Sequence, residues 1–147
     1  MTKHDLVIYG ASGFTGQFVI EYVHRAAVEH QVGGAGQQLT VCPQVSWAVA
    51  GRDEGRLRAA LARAGAVVGA DLSKVAVLVC DSSDPASLHQ MAQQARVVLN
   101  CVGPYRFYGE AVVEACVEAG AHHLDISGEP QYLEKMQLKY HQVSSSI

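Results

Sequence analysis

A chain of 147 residues is sized for one domain, and at this length a folded domain hides roughly 68–70% of its unfolded surface. Hydrophobic residues make up 49%, charged residues only 17%, and the net charge is −3. This balance excludes the basic footprint of a nucleic-acid binder, and no apolar run approaches the ~20 residues of a membrane-spanning helix.

The N-terminal Met1–Asp5 stretch carries one lysine and too short an apolar run after it to be a signal peptide. A first strand is predicted at Asp5–Tyr9, followed by a glycine turn and a helix over Thr15–Val28. Phe18, Val19, Tyr22, Val23 and Ala26 form the apolar stripe of that helix. Glu29–Gln44, with Gly33-Gly34-Ala35-Gly36 and Pro43, reads as a mobile inserted loop. A second strand is expected at Val45–Ala50. The next helix starts near Asp53 and presents Leu57, Ala60, Leu61 and Ala64. Gly65–Ala70 then reads as a linker. The third strand spans Val75–Cys80. Asp84-Pro85 opens a helix as cap and first-turn proline, with Leu88, Met91 and Ala92 inward. The fourth strand covers Val97–Val102, and its helix Gly109–Ala119 stops at Gly120. The fifth strand is His122–Ile126. Its helix is Pro130–His141, with Tyr132, Leu133, Met136 and Tyr140 inward.

Five successive βα units with strands apolar on both faces predict an α/β fold of Rossmann type, with a doubly wound parallel sheet. The predicted domain covers residues 1–142, and 143–147 read as a disordered tail.

Strand one runs straight into Gly10-Ala11-Ser12-Gly13-Phe14-Thr15-Gly16. This G-x-x-G-x-x-G turn is a variant of the dinucleotide fingerprint. Gly10 permits the tight turn, Gly13 lets a pyrophosphate approach the backbone, and Gly16 lets helix and strand pack closely. The helix N-terminus supplies N–H groups to the phosphates, and the Ser12 and Thr15 hydroxyls add donors.

The end of strand two selects the cofactor: an acid there bonds the ribose of NAD, an arginine the 2′-phosphate of NADP. Here it reads Gly51-Arg52-Asp53. Arg52 lies 36 residues past Gly16, and without the 16-residue inserted loop the gap is the usual distance of about 20. Arg52 is therefore assigned to the 2′-phosphate, Gly51 to adenosine access, and NADP is favoured over NAD. Asp53 reads as a helix cap in preference to a ribose ligand, and Arg56 as part of a solvated helix face.

Ligands of open α/β sheets sit at the carboxyl ends of the strands. After strand three, Asp81 is placed either for the adenine edge or as a turn residue. After strand four, Asn100, Cys101, Val102, Gly103 and Pro104 are expected to line the ribose and nicotinamide. After strand five, Asp125 and Glu129 are polar candidates near the reacting end, with capping an equal reading for Glu129.

Catalytic residues are not assigned. No Tyr-x-x-x-Lys, G-x-x-x-x-G-K-[ST], H-E-x-x-H or G-x-S-x-G occurs, and no metal site is expected: His122 and His123 are adjacent on a strand and point to opposite faces. Cys42, Cys80, Cys101 and Cys116 contain no C-x-x-C pair and read as reduced structural thiols of a cytosolic protein.

Taken together, Leu6–Gly16, Ala50-Gly51-Arg52, Val98–Tyr105, Tyr108-Gly109 and Asp125–Glu129 resemble the NADP-binding domain of the saccharopine dehydrogenase-like oxidoreductases. These are similar to the trans-acting enoyl reductases of bacterial glycolipid synthesis. The resemblance covers about Asp5 to His141. It implies NADP-dependent hydride transfer, a role in lipid or glycolipid metabolism, and, for animal-type members, association with lipid droplets or membranes. Family members also carry a further strand and a substrate domain, which sets two expectations. One is a cofactor domain of an oxidoreductase, not catalytic alone. The other is a non-catalytic, truncated isoform that binds NADP or a partner, or forms an oligomer, through the open edge of strand five. A methyltransferase or another nucleotide binder on the same topology fits Arg52 and the glycine spacing less well.

Overall fold

Strands and helices alternate strictly through the computed structural model, which describes residues 3–29 and 45–144. In chain order the elements are β1 (His4–Tyr9), α1 (Phe14–Glu29), β2 (Trp47–Gly51), α2 (Glu54–Val68), β3 (Ala76–Val79), α3 (Pro85–Gln93), β4 (Ala95–Asn100), α4 (Tyr105–Ala119), β5 (His122–Asp125) and α5 (Pro130–Ser144). Most of the expected inserted loop, Cys42 and the last three residues lie outside the described residues.

All pairings are parallel, in the order β3-β2-β1-β4-β5. β1 is central, with Tyr9 level with Ala50 of β2 and Asn100 of β4. Side chains alternate across a strand, so its two faces feed two cores. Val7, Tyr9, Ala48, Ala50 and Val98 pack with Leu88 and Met91 of α3 and with Val112 and Cys116 of α4. Ile8 and Val49 pack on the other face with Ile20 of α1 and with Leu57, Ala60 and Leu61 of α2. A third cluster joins α4 to α5 through Tyr105, Val113, Tyr132, Met136 and Tyr140. The sheet is doubly wound, as the βα alternation predicts.

The caps are local and readable. Asp53 Oδ1 accepts from Arg56 N–H at 2.9 Å and starts α2. Asp84 does the same for α3, accepting from Ala86 and Ser87 N–H ahead of the proline.

The boundaries differ from expectation where distant groups intervene. Gly65–Ala70 is not a linker: α2 continues to Val68 and ends at Gly69, whose φ of 70° makes the left-handed turn. Gly65 stays in the helix because its bare Cα seats against the Ala70 carbonyl, where a Cβ would lie 2.6 Å from that oxygen. α4 begins at Tyr105, four residues before the expected start, and α5 runs three residues past His141 to Ser144. The stripe of α1 is also corrected. Phe18 (53% exposed) and Tyr22 (73%) face outward, and Ile20 is the fully buried residue. Leu133 of α5, expected inward, is 45% exposed.

At Gly109 the Tyr132 ring of α5 packs directly onto the backbone of α4. A Cβ there would lie 2.5 Å from Tyr132 Cε2, and the Tyr132 ring is buried with its hydroxyl bonded to Asp125 Oδ2 at 2.8 Å, so it cannot swing aside freely. Gly109→Ala is therefore expected to destabilise the fold by about 1–3 kcal/mol through overpacking, read as a lowered urea midpoint. An unchanged midpoint would show that the contact relaxes without cost. Asp53→Ala removes the α2 cap, with an expected loss of about 0.5–2 kcal/mol in the same measurement.

Candidate functional site

The turn after β1 is built by close approach. Gly10 has φ 81°, a conformation that side chains disfavour. Its N–H donates to the Ala50 carbonyl at 2.9 Å, and Ala11 N–H reaches the same oxygen at 3.4 Å. Gly16 is buried in the first turns of α1, where a Cβ would lie 2.4 Å from Gly10 O and 2.6 Å from Ala11 Cα. Only glycine lets α1 start this close to the strand.

Gly13 is exposed at the mouth of the turn, with Ser12 and Thr15 half-buried beside it. α1 begins at Phe14, so the first-turn N–H groups, which lack intrahelical acceptors, belong to Phe14 and its successors. The Phe14 ring itself points to solvent and meets Phe18 edge to face at 5.4 Å. This cradle, with its positive helix end and glycine clearance, fits a pyrophosphate.

The same Ala50 carbonyl joins the turn to the end of β2. Gly51 is buried there and Arg52 is exposed two residues beyond Ala50. The 36-residue separation of Gly16 and Arg52 in sequence is thus closed by the β1–β2 pairing. Arg56, also exposed, lies on the first turn of α2.

Beyond β3, Asp81 adopts the turn reading. Its Oδ1 accepts from Ser83 N–H and from Ser83 Oγ, each at 2.8 Å. These bonds, helped by the Arg52 charge, hold its carboxyl below the usual aspartate range. The neighbouring Ser82 hydroxyl pairs with Tyr9 Oη at 2.7 Å, tying this loop to the central strand. Burial pushes the Tyr9 phenol up to about 12.

Beyond β4 lies the loop of Cys101, Val102, Gly103 and Pro104, with a cis Gly103–Pro104 bond. It abuts the glycine turn: a Cβ on Gly10 would stand 2.6 Å from Val102 Cγ2 and 3.2 Å from the Cys101 carbonyl carbon. Asn100 was expected to line the crevice, but it is 0% exposed. Its Oδ1 accepts from Val102 N–H at 3.0 Å, and its amide nitrogen lies 3.4 Å from His123 Nε2. It is buried, and its side chain is engaged with Val102 and His123.

Two carboxylates of the β5–α5 segment are also engaged internally. Asp125 accepts from Ser127 N–H and from the Tyr132 hydroxyl. Glu129 accepts from Tyr105 N–H at 2.8 Å and Arg106 N–H at 2.9 Å, capping α4, whose own cap position is a proline with no side-chain bond. Its side chain therefore caps α4, while its carbonyl accepts from Leu133 N–H at 3.1 Å at the start of α5. No local sequence signal marks this pairing, because its partners are 24 and 23 residues apart.

Cys80 and Cys116 are buried and free, and burial pushes both thiols up to about 12, while Cys101 is half-buried and raised for the same reason. His122 is exposed and His123 half-buried, on opposite faces of β5; burial lowers the His123 pKa, against the opposing pull of Asp125. Among the described residues no cluster of three or more His, Cys, Asp or Glu side chains is arranged to hold a metal ion. No helix of the described residues is long and apolar enough to cross a membrane.

Comparison with known proteins agrees with this geometry. The family model described as "Saccharopine dehydrogenase NADP binding domain" matches residues 6–146. The human saccharopine dehydrogenase-like oxidoreductase is 52% identical over 139 residues, covering 93% of this chain and 30% of its own length. A Caenorhabditis elegans relative named "Lipid droplet localized protein" is 52% identical over 140 residues, covering 95% of this chain and 30% of its own. Among solved structures, apo saccharopine dehydrogenase (L-Glu forming) from Saccharomyces cerevisiae superposes with a TM-score of 0.63 at 16% identity, over 90% of this chain and 24% of that one. The chain thus spans about 30% of the length of the curated relatives it matches. With the glycine turn, the doubly wound sheet and the family match in agreement, the chain belongs to the saccharopine dehydrogenase NADP-binding-domain family.

Proposed function

We propose that this chain is the NADPH-holding part of an oxidoreductase that transfers hydride to or from a lipid-linked or amino-acid-like substrate. The observation that carries the reading is the adjacency of the glycine turn and Arg52, made by the bonds from Gly10 and Ala11 to Ala50. The first turn of α1, with Gly13, Ser12 and Thr15, holds the pyrophosphate. Arg52 takes the 2′-phosphate by charge-assisted bonds, with Gly51 giving the adenosine close access. Asp81 shapes the adenine side of the crevice, and Cys101, Val102, Gly103 and Pro104 wall its nicotinamide side. When bound, the nicotinamide supplies the hydride chemistry; the protein binds, orients and shields it.

The relatives are about three times as long as the matched region, which supports placing the substrate groups in the remainder of such proteins. On this reading the chain alone binds NADPH and turns over little. A cytosolic protein that reaches lipid droplets is consistent with the name of the nematode relative.

One observation favours a second reading, in which the chain also serves as a partner-binding or self-associating module. β5 ends the sheet order, and beside its edge runs a groove of about 790 Å³ between the strand, α4 and α5. Val97, Val113, Val117, Leu124 and Met136 line it. An open edge with an adjoining apolar groove suits the addition of a strand.

In NADPH titrations followed by nicotinamide fluorescence, Arg52→Ala is expected to weaken NADPH by about 1.5–3 kcal/mol, the usual worth of a charged hydrogen bond, and NADH much less. Equal losses for both would overturn the assignment of Arg52. Absence of saturable NADPH binding by the wild-type chain would overturn the cofactor reading. Sizing by light scattering tests the second reading: a concentration-dependent dimer that Leu124→Lys abolishes supports edge pairing, and a monomer at all concentrations removes self-association.

A further inference from the structure

The loop between β4 and α4 is held at both ends by hydrogen bonds within the protein. At its start, Asn100 Oδ1 accepts from Val102 N–H at 3.0 Å, and the Tyr105 hydroxyl donates to the Asn100 carbonyl at 2.8 Å. At its end, the two Glu129 oxygens take Tyr105 N–H and Arg106 N–H at 2.8 and 2.9 Å. Glu129 is itself placed by the end of β5: its N–H donates to Ser127 Oγ, and Ser127 N–H donates to Asp125 Oδ1. Between these two anchors, Val102 presses against Gly10, the first glycine of the phosphate turn.

An N-terminus as open as that of α4 would draw an anion, since its first N–H groups lack partners. Glu129 supplies that anion from within the chain. The positive end of α4 is thereby neutralised, and the positive end of α1 is left to the cofactor. A carboxylate that only stabilised α4 would do so equally well from a local cap position. Reaching from the β5–α5 segment, it also welds the two loops that border the nicotinamide half of the crevice.

We infer that Glu129 is a positioning residue for the cofactor: it sets the Cys101–Pro104 wall, and through it the seat of the nicotinamide half, without contacting the cofactor. Asn100 anchors the other end of the same wall. This inference rests on the reading of the chain as an NADPH binder.

The test uses the 147-residue chain and two ligands, NADPH and adenosine 2′,5′-bisphosphate, the latter lacking the nicotinamide half. Binding is measured by calorimetry and folding by the thermal midpoint. Glu129→Ala is expected to weaken NADPH about tenfold and the bisphosphate less than twofold. Glu129→Gln, which keeps one acceptor oxygen, falls between wild type and Glu129→Ala for NADPH. Equal weakening of both ligands, or NADPH binding unchanged in Glu129→Ala, overturns the positioning role. If Glu129→Ala does not fold, Glu129→Gln decides by the same comparison, and loss of fold in both variants assigns Glu129 to stability and overturns the inference. Failure of the wild-type chain to bind NADPH while binding the bisphosphate, or to bind either, is a separate result that sinks the cofactor reading instead.

Discussion

The pairing of β1 with β4 is the constraint on which the molecule depends. β1 is flanked by β2 on one side and β4 on the other, all parallel. Crossover connections between parallel strands are right-handed, so units added to the left of β1 place their helices on one face and units added to the right place theirs on the other. The turn after β1 therefore departs toward α1 on one face, and the loop after β4 departs toward α4 on the opposite face. Where they part, a crevice opens at the carboxyl ends of the strands. Its floor is the contact of Gly10 with Val102 and Cys101, which no side chain at position 10 would permit.

The electrostatics of this crevice are local. A chain of net charge −3 has no overall field to attract a polyphosphate. What it offers is placed at short range: the N–H groups at the start of α1 and the guanidinium of Arg52 after β2. The carboxylates of the strand-end loops are engaged with the protein. Asp81 holds its own turn, Asp125 holds Tyr132 and Ser127, and Glu129 holds the start of α4. The arrangement leaves cationic and N–H groups at the ends of β1 and β2 and keeps these carboxylates occupied.

The same sheet explains why this region is separable from function at large. A dinucleotide fold supplies binding and orientation, while reaction and substrate depend on groups grafted around it. The described residues include exposed aromatic rings on α1 and an apolar groove beside β5. The curated relatives are about three times as long as the matched region.

Much of this was legible from local patterns. The glycine spacing, the caps Asp53 and Asp84, the turn at Gly120 and the apolar strands depend on neighbours within a few residues, which the sequence displays directly. The position of Arg52 just after β2 was also within reach, because its distance from the glycine turn becomes ordinary once the inserted stretch is set aside. Other features depend on which surfaces meet. Phe18 and Tyr22 carry helical periodicity but face outward, because hydrophobic spacing reports a stripe and not its coverage. Asn100 sits at a strand end where ligands bind, yet is wholly buried beneath its own loop. Glu129 caps a helix that begins 24 residues earlier, a pairing that exists only because β4 and β5 lie side by side. The amino-acid sequence alone determined the order of strands and helices, the glycine turn and the caps of α2 and α3, since these follow from short-range sterics and hydrogen bonding. The tertiary structure alone decided which polar groups face the crevice and which brace it, since that depends on contacts between segments remote in sequence.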